Sequence, residues 1–387
     1  MTLLEVNSPE TKKEFILFPV RLYRHDPNFI RSLDKDVEDV FDPAKNKLLR
    51  KGTCIRWLLK DEQHKTIGRV AAFVNPQTAN TFAQPTGGMG FFECINSQEA
   101  ANILFEACRQ WLQTQGMEAM DGPINFGDRD KWWGLLVDEF SPASYTTNYN
   151  FSYYQQLFEN YGFKIYFKQF TYIRQVKIPL EPRYTEKSKI ILSNPNYSFR
   201  HMKMKNISKY AEDFRVVYNK AWAKHLGVKE MSSAQGQIIM NKMKPIMDER
   251  LVWFAYFKEE PVGFFIAIPE LNQIFRYVNG KLDLLGKLKF LYYRWRGVIT
   301  RATGIVFGIA PEHQRKGVEA AMINASGNGF YFKEEAPYED VVMNWIGDFN
   351  PKMMRVCEQI GATIYKTHYT YRKLFDDTKE FKRAPII

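Results

Sequence analysis

Apolar and polar positions along this chain follow one order of strands and helices, and that order is read twice. A first strand pair is predicted at Cys54–Lys60 and Gly68–Val74 across the polar turn Asp61–Thr66. Asn75–Gly90 reads as a polar, glycine-rich connection. Ser97 is a good N-cap for a helix over Gln98–Gln115, where Ala101, Leu104, Phe105, Cys108 and Leu112 keep helical spacing and Gly116 is the stop. Met120–Phe126 reads as a strand entering a turn, Asn148–Gly162 as a helix and Lys164–Val176 as a strand. After 178–197, which holds three prolines and reads as a linker, the pattern returns. Phe199–Met204 is a strand, Ile207–Lys224 a helix, and Leu251–Phe257 with Val262–Ile268 a hairpin. Gly304–Ala310 is a strand leading to a helix that starts at Gly317. Val341–Ile346 is a strand, Pro351–Ile360 a helix ended by Gly361, and strands lie around Thr363–Tyr365 and His368–Lys373. The fold class is therefore α/β (α+β): two tandem units, 1–177 and 198–387, each a mixed, mostly antiparallel sheet flanked by helices.

Length supports this division, since 387 residues with 45% hydrophobic and 25% charged residues can build two separate cores. The net charge of +11 calls for an anionic partner: nucleic acid, anionic lipid headgroups, coenzyme A or an acidic carrier protein. Cys54, Cys94, Cys108 and Cys357 lack metal-type spacing, so no metal is expected and reduced cytoplasmic thiols are the default. No apolar run reaches spanning length, and the N-terminus lacks a signal-peptide layout. The expected location is cytoplasmic, with a peripheral position at the inner membrane left open by residues 269–301. Between Leu271 and Arg301, Arg276, Lys281, Lys287, Lys289, Arg294, Arg296 and Arg301 interleave with leucines and aromatics against a single acid, Asp283. That mixture suits an interfacial helix on an anionic membrane, or a covering helix pair whose apolar face is core.

The stretch with most chemistry is 303–326. A strand meets Pro311, then the polar loop Glu312–Lys316, then Gly317 and a helix. A helix start offers unpaired N–H groups to an anion, and His313, Gln314 and Arg315 can add donors. Gln314-Arg315-Lys316-Gly317-Val318-Glu319 resembles the pyrophosphate loop of the GNAT acyl-CoA N-acyltransferases. The resemblance implies that Gly308, Ile309, Ala310, Gln314, Arg315, Lys316, Gly317, Val318, Glu319, Ala320 and Asn350 hold a coenzyme A thioester, acetyl-CoA or long-chain acyl-CoA. It also implies that backbone N–H groups near Ile309 polarise the thioester carbonyl. Glu319 departs from the pattern, which has a small residue there, and a carboxylate repels a diphosphate. Asn350 and Gly361 resemble the ends of the GNAT helix that carries the acid for the departing thiolate. The acid's place falls on Cys357, with Tyr365, His368 and Tyr369 as alternatives.

Over most of its length the chain is similar to a bacterial family of tandem GNAT-like proteins, some linked to N-acylation of long-chain (sphingoid) bases. The resemblance rests on Gly122-Pro123-Ile124-Asn125-Phe126, Gly134-Leu135-Leu136-Val137, Val217-Tyr218-Asn219-Lys220-Ala221-Trp222, Pro269-Glu270-Leu271-Asn272-Gln273 and Pro311–Gly317. It implies an N-acyltransferase with an amine acceptor between the units, and a first unit without a coenzyme A loop. Glu270 is the first candidate for the base, ahead of His225 and Asp248. Asn272 would orient the amine, and Asn125 and Trp222 would contact substrate, with Asp128, Arg129 and Asp130 near Asn125. Glu319 and the basic segment would also suit an acyl carrier protein as donor. Two other classes are a FemABX-like aminoacyl-tRNA-dependent transferase, which the Gln314–Gly317 loop disfavours, and a non-catalytic acyl-CoA- or lipid-binding protein; nucleic acid is not the expected partner.

Overall fold

Ser97 does cap a helix, its hydroxyl accepting from the Ala100 N–H, and the elements around it follow the expected order. A computed structural model describes residues 1–386 except 82, 128, 130 and 223–229, and for 183 and 222 the backbone only. The first unit runs β1 (Thr2–Glu5), α1 (Pro9–Leu22), α2 (Asp34–Val40), β2 (Thr53–Lys60), β3 (Thr66–Val74), β4 (Thr86–Cys94), α3 (Gln98–Thr114), β5 (Ala119–Gly122), β6 (Leu135–Asp138), α4 (Tyr154–Asn160) and β7 (Lys164–Gln175). After α5 (Pro182–Leu192) the second unit gives β8 (Tyr197–His201), α6 (Ile207–Trp222), α7 (Ser233–Met243), β9 (Val252–Phe257) and β10 (Glu260–Pro269). Then come α8 (Asn272–Val278), α9 (Leu284–Trp295), β11 (Arg301–Ile309), α10 (Val318–Ser326), β12 (Asp340–Gly347), α11 (Pro351–Gln359) and β13 (Thr363–Leu374).

Three stretches differ from the sequence reading. The connection 75–90 contains the start of β4, whose glycines hide a strand because they make room for neighbours: a Cβ on Gly88 would lie 2.3 Å from the Phe73 ring. The helix expected over 148–162 is only α4, because Asn150 instead ties the preceding segment to β6, exchanging hydrogen bonds with the Leu136 backbone. The stretch 178–197 carries α5, with Pro182 in its first turn, where a missing N–H costs nothing.

The two sheets are joined into one, in the order β1-β2-β3-β4-β5-β13-β7-β12-β11-β10-β9-β8, with β6 against β13. Each unit lends its last strand to the other. β7 pairs antiparallel with β12, β13 pairs antiparallel with β5, and the two lent strands pair with each other. A buried ion pair locks one crossing: Arg372 on β13 meets both oxygens of Asp121 on β5, at 2.6 and 2.8 Å. Cores lie on the sheet faces, one under α3 and α4, one under α6 and α7, and one beneath α10 and α11. No helix among the described residues is long and apolar enough to cross a membrane.

Candidate functional site

The second unit opens between two parallel strands. β11 and β12 are in register from Arg301 opposite Asp340 to Gly304 opposite Met343, and there the pairing ends. On its other edge β11 slips by one residue against β10, so that Ile305 has no register partner on either side. A bulge of this kind frees backbone groups from the ladder at the mouth of a site. The split leads into a cavity of about 260 Å³. Its walls are largely apolar: Ile305, Val306 and Phe307 from β11, Met343 and Ile346 from β12, and Ile323 from α10. Asn344 and Asn350 supply polar edges; the Asn350 side chain also caps α11, accepting from the Met353 N–H.

In the first unit the same split is closed. β4 and β5 run parallel only from Thr86 to Gly88, and then Ile124 crosses the gap and donates its N–H to the Met89 carbonyl. The crossing is so close that a Cβ on Gly90 would stand 1.9 Å from the Ile124 oxygen. Among the described residues, only the second unit retains an open cleft of this kind.

The loop after β11 has the shape its sequence called for. Gly317 caps α10 with φ of +88°, a left-handed conformation that favours glycine. Gln314, Arg315 and Lys316 are exposed, and the Gln314 side chain donates back to the Ile309 carbonyl. His313 is held by the Tyr197 hydroxyl at 2.7 Å, and burial followed by the charge of Lys316 lowers its pKa. Glu319 stands half-buried in the first turn of α10. Val318 and Ala320 face the core, as do Ile309 and Ala310, whose N–H is taken by the Val262 carbonyl. The residue of β11 without a register partner is therefore Ile305, four residues before the Ile309 expected from the sequence. α5 lies along this loop: Tyr184 is buried, and burial, Glu319 and Cys357 together push its phenol above the usual range.

Cys357, placed as an acid by the spacing from Asn350, does not reach the cavity. Its sulfur is buried against Met343 at 3.8 Å, and burial pushes the thiol up to about 12, which makes it a poor proton donor to a thiolate. Tyr365 is likewise elsewhere, its hydroxyl 2.6 Å from Ser141. His368 is buried beside the Asn148 carbonyl, where burial lowers its pKa to about 4.

Glu270 directly follows β10 and is 4% exposed. One carboxylate oxygen accepts from the backbone N–H of Tyr145 at 2.8 Å and of Asn272 at 3.0 Å; the other accepts from the Thr303 hydroxyl at 2.6 Å. Tyr145 and Asn272 line a second cavity, of about 90 Å³, bounded mostly by the first unit. Thr303 precedes Gly304, which lines the first cavity. Glu270 is thus bonded to residues at the edge of each cavity. A carboxylate accepts about four hydrogen bonds, so one position remains open. The Asn272 side chain is occupied, donating to the Ala143 carbonyl at 2.8 Å.

The second cavity also reaches Arg69 and Glu93, an ion pair at 3.5 Å, with Tyr23 and Tyr154 donating to Glu93. Burial raises the Glu93 pKa against the pull of Arg69. Sequence reasoning missed this group; its signal was a charge at inward positions of the otherwise apolar runs GRVAAFV and GFFEC. Asn125 lies elsewhere, against a groove of about 710 Å³, its buried Oδ1 without a partner among the described residues. Asp248 caps the turn before β9 and is held by Arg250, apart from both cavities. The Trp222 side chain, His225, Asp128 and Asp130 lie outside the described residues.

No family model matches the chain. Across 96% of its length it is 24% identical to a protein named bacterial ceramide synthase from Caulobacter vibrioides, covering 97% of that protein. It is 23% identical to Protein YghO of Escherichia coli over 93% of this chain and 92% of that one. Among solved structures, a tandem GNAT protein from the clavulanic acid biosynthesis pathway matches 98% of this chain and 99% of its own. Its TM-score is 0.54 at 9% identity, so the likeness is one of fold.

Proposed function

Starting from the chain as a tandem GNAT-like acyltransferase, we propose that it transfers a long-chain acyl group from a coenzyme A thioester to the amine of a long-chain base. The observation that carries this reading is the contrast between the units. The strands of the second diverge at Gly304 and Met343 onto an apolar cavity, whereas Ile124 fills the same gap in the first. An apolar wall of isoleucine, valine, phenylalanine and methionine suits a hydrocarbon chain better than an acetyl group alone. The name of the Caulobacter relative supports a sphingoid base as acceptor.

In the reaction the neutral amine attacks the thioester carbonyl carbon from the side of Glu270 and the second cavity. The C–N bond forms, the C–S bond breaks, and the sulfur leaves as thiolate. Glu270 takes the amine proton, directly or through one water. The backbone N–H at the Ile305 bulge polarises the carbonyl as charge develops on its oxygen. The α10 N-terminus with Gln314, Arg315 and Lys316 holds the diphosphate. Glu319 favours a second donor, a carrier protein that presents the same arm without the adenosine diphosphate.

The test is to incubate the full chain with acetyl-CoA or palmitoyl-CoA and sphinganine and to follow amide by mass spectrometry. Amide from palmitoyl-CoA is the expected result. Transfer of acetyl alone would overturn the long-chain reading, and amide from an acylated carrier protein but from no coenzyme A thioester would overturn the donor.

A further inference from the structure

α9 carries its large apolar side chains on the wrong side for a core. Leu284, Leu288, Leu291 and Trp295 are 75%, 54%, 60% and 80% exposed, and Leu285 and Tyr292 are exposed beside them. At 100° per residue these six positions fall within about one third of the helix circumference. The opposite side attaches the helix to the protein. Gly286 is buried, with a turn of backbone so close that a Cβ would lie 1.9 Å from the Lys281 carbonyl. Tyr293 stacks on Tyr277 with ring centres 3.9 Å apart, and Phe290 packs near Phe275. Hence the exposed stripe is not left over from a loosely packed helix: α9 has a filled inner face and a separate outer one.

Cations border that outer face. Lys287 projects from one flank and Lys289 from the other, with Lys281 before the helix and Arg296 after it, all exposed; Arg294 is turned back onto the protein and donates to the Pro245 and Met247 carbonyls. The single acid, Asp283, is spent as the N-cap, accepting from the Gly286 N–H. An apolar stripe edged with lysine and arginine and carrying a terminal tryptophan is the pattern of a helix that lies in a lipid headgroup layer.

We propose that α9 seats the protein on an anionic phospholipid bilayer, with Leu284, Leu288, Leu291 and Trp295 entering the interface and the flanking cations meeting lipid phosphates. The charge complementarity selects this occupant. A second copy of the same face would bring Lys287, Lys289 and Arg296 against their own counterparts. The proposal does not depend on the acyl-transfer reading, and its test does not measure turnover.

The experiment is flotation of the full chain with vesicles of phosphatidylcholine alone, or with roughly one third phosphatidylglycerol. The chain is expected to float with the anionic vesicles, at least tenfold more than with the neutral ones, and high salt is expected to reduce the fraction. Leu288→Glu with Leu291→Glu should abolish flotation, and Lys287→Glu with Lys289→Glu should remove the preference for phosphatidylglycerol. Circular dichroism confirms that both variants fold. The difference in fluorescence between the native chain and Trp295→Phe should shift to the blue on binding. Absence of flotation, or flotation unchanged by the leucine replacements, overturns the proposal. So does concentration-dependent dimerisation that the leucine replacements remove while the native chain binds no vesicles.

Discussion

The Thr303 hydroxyl donates to Glu270 at 2.6 Å, and this bond joins the strand that walls the apolar cavity to a carboxylate whose other partners, Tyr145 and Asn272, line the second cavity. Thr303→Val removes that donor while leaving the two backbone N–H bonds to the other oxygen. Glu270→Gln removes the proton acceptor. If Glu270 is the base, Glu270→Gln lowers kcat by about 10²–10⁴ with KM nearly unchanged, and Thr303→Val gives a smaller loss. A Glu270→Gln protein that melts lower yet turns over normally would assign the carboxylate to holding the units together.

Ile305 offers a way to test a backbone group by substitution. Ile305 has no register partner on either side, and Ile305→Pro deletes its backbone N–H. Ile305→Pro is expected to leave thioester binding within a fewfold of normal and to lower kcat by about 10²–10³, the usual effect of losing one oxyanion donor. Calorimetry with palmitoyl-CoA gives the first quantity and single-turnover kinetics the second. Unchanged turnover would place the polarising group elsewhere.

The diphosphate loop makes opposite predictions for two neighbours. Gly317→Glu adds a side chain at φ of +88° and a carboxylate at the anion site, and should abolish coenzyme A binding. Glu319→Ala removes a negative charge from the first turn of α10 and should tighten free coenzyme A by about two- to fivefold, an effect of roughly 0.3–1 kcal/mol. An affinity for free coenzyme A that neither replacement changes would mean that the diphosphate does not sit on this loop.

His368 ties stability to pH. Its folded pKa is lowered to about 4, from an ordinary value of 6.5, because burial disfavours the charged ring. The unfolded chain therefore takes up the proton first. The stability that neutral His368 allows is fully present above pH 6.5 and declines as pH falls toward 4, by an amount on the order of 3 kcal/mol. Urea denaturation across this range should show a shallower acid decline for His368→Gln than for the native chain. Parallel curves would show that the folded ring takes up its proton over the same pH range as the unfolded one.

What was legible in the sequence was what is local. The Ser97 cap, the hairpin of β9 and β10, and the turn at Gly317 depend on neighbours within a few residues, and all three were readable. What was hidden depends on partners far along the chain. β4 looks like a loop until Phe73 and Ile124 are seen to need its glycines' space. Cys357 falls at the right spacing for an acid, but spacing does not reveal that its side chain points at Met343 rather than into the cavity. Arg69 and Glu93 are 24 positions apart and meet only because β3 and β4 pair. The basic, leucine-rich run at 284–295 was visible as composition, but which of its faces met solvent required the packing of Tyr293 on Tyr277.

The lent strands have a consequence for how the protein is made. β5 and β7 belong to the first half of the chain, yet the strand that fills the space between them is residues 363–374. During synthesis the earlier half emerges with both of those edges unpaired, exposed to the mispairing that open strands invite. Translation order and assembly order thus run apart, and the first unit has to wait for the second. A nascent chain arrested before residue 363 is expected to stay protease-sensitive through its first half as well as its second, and full release should protect both together.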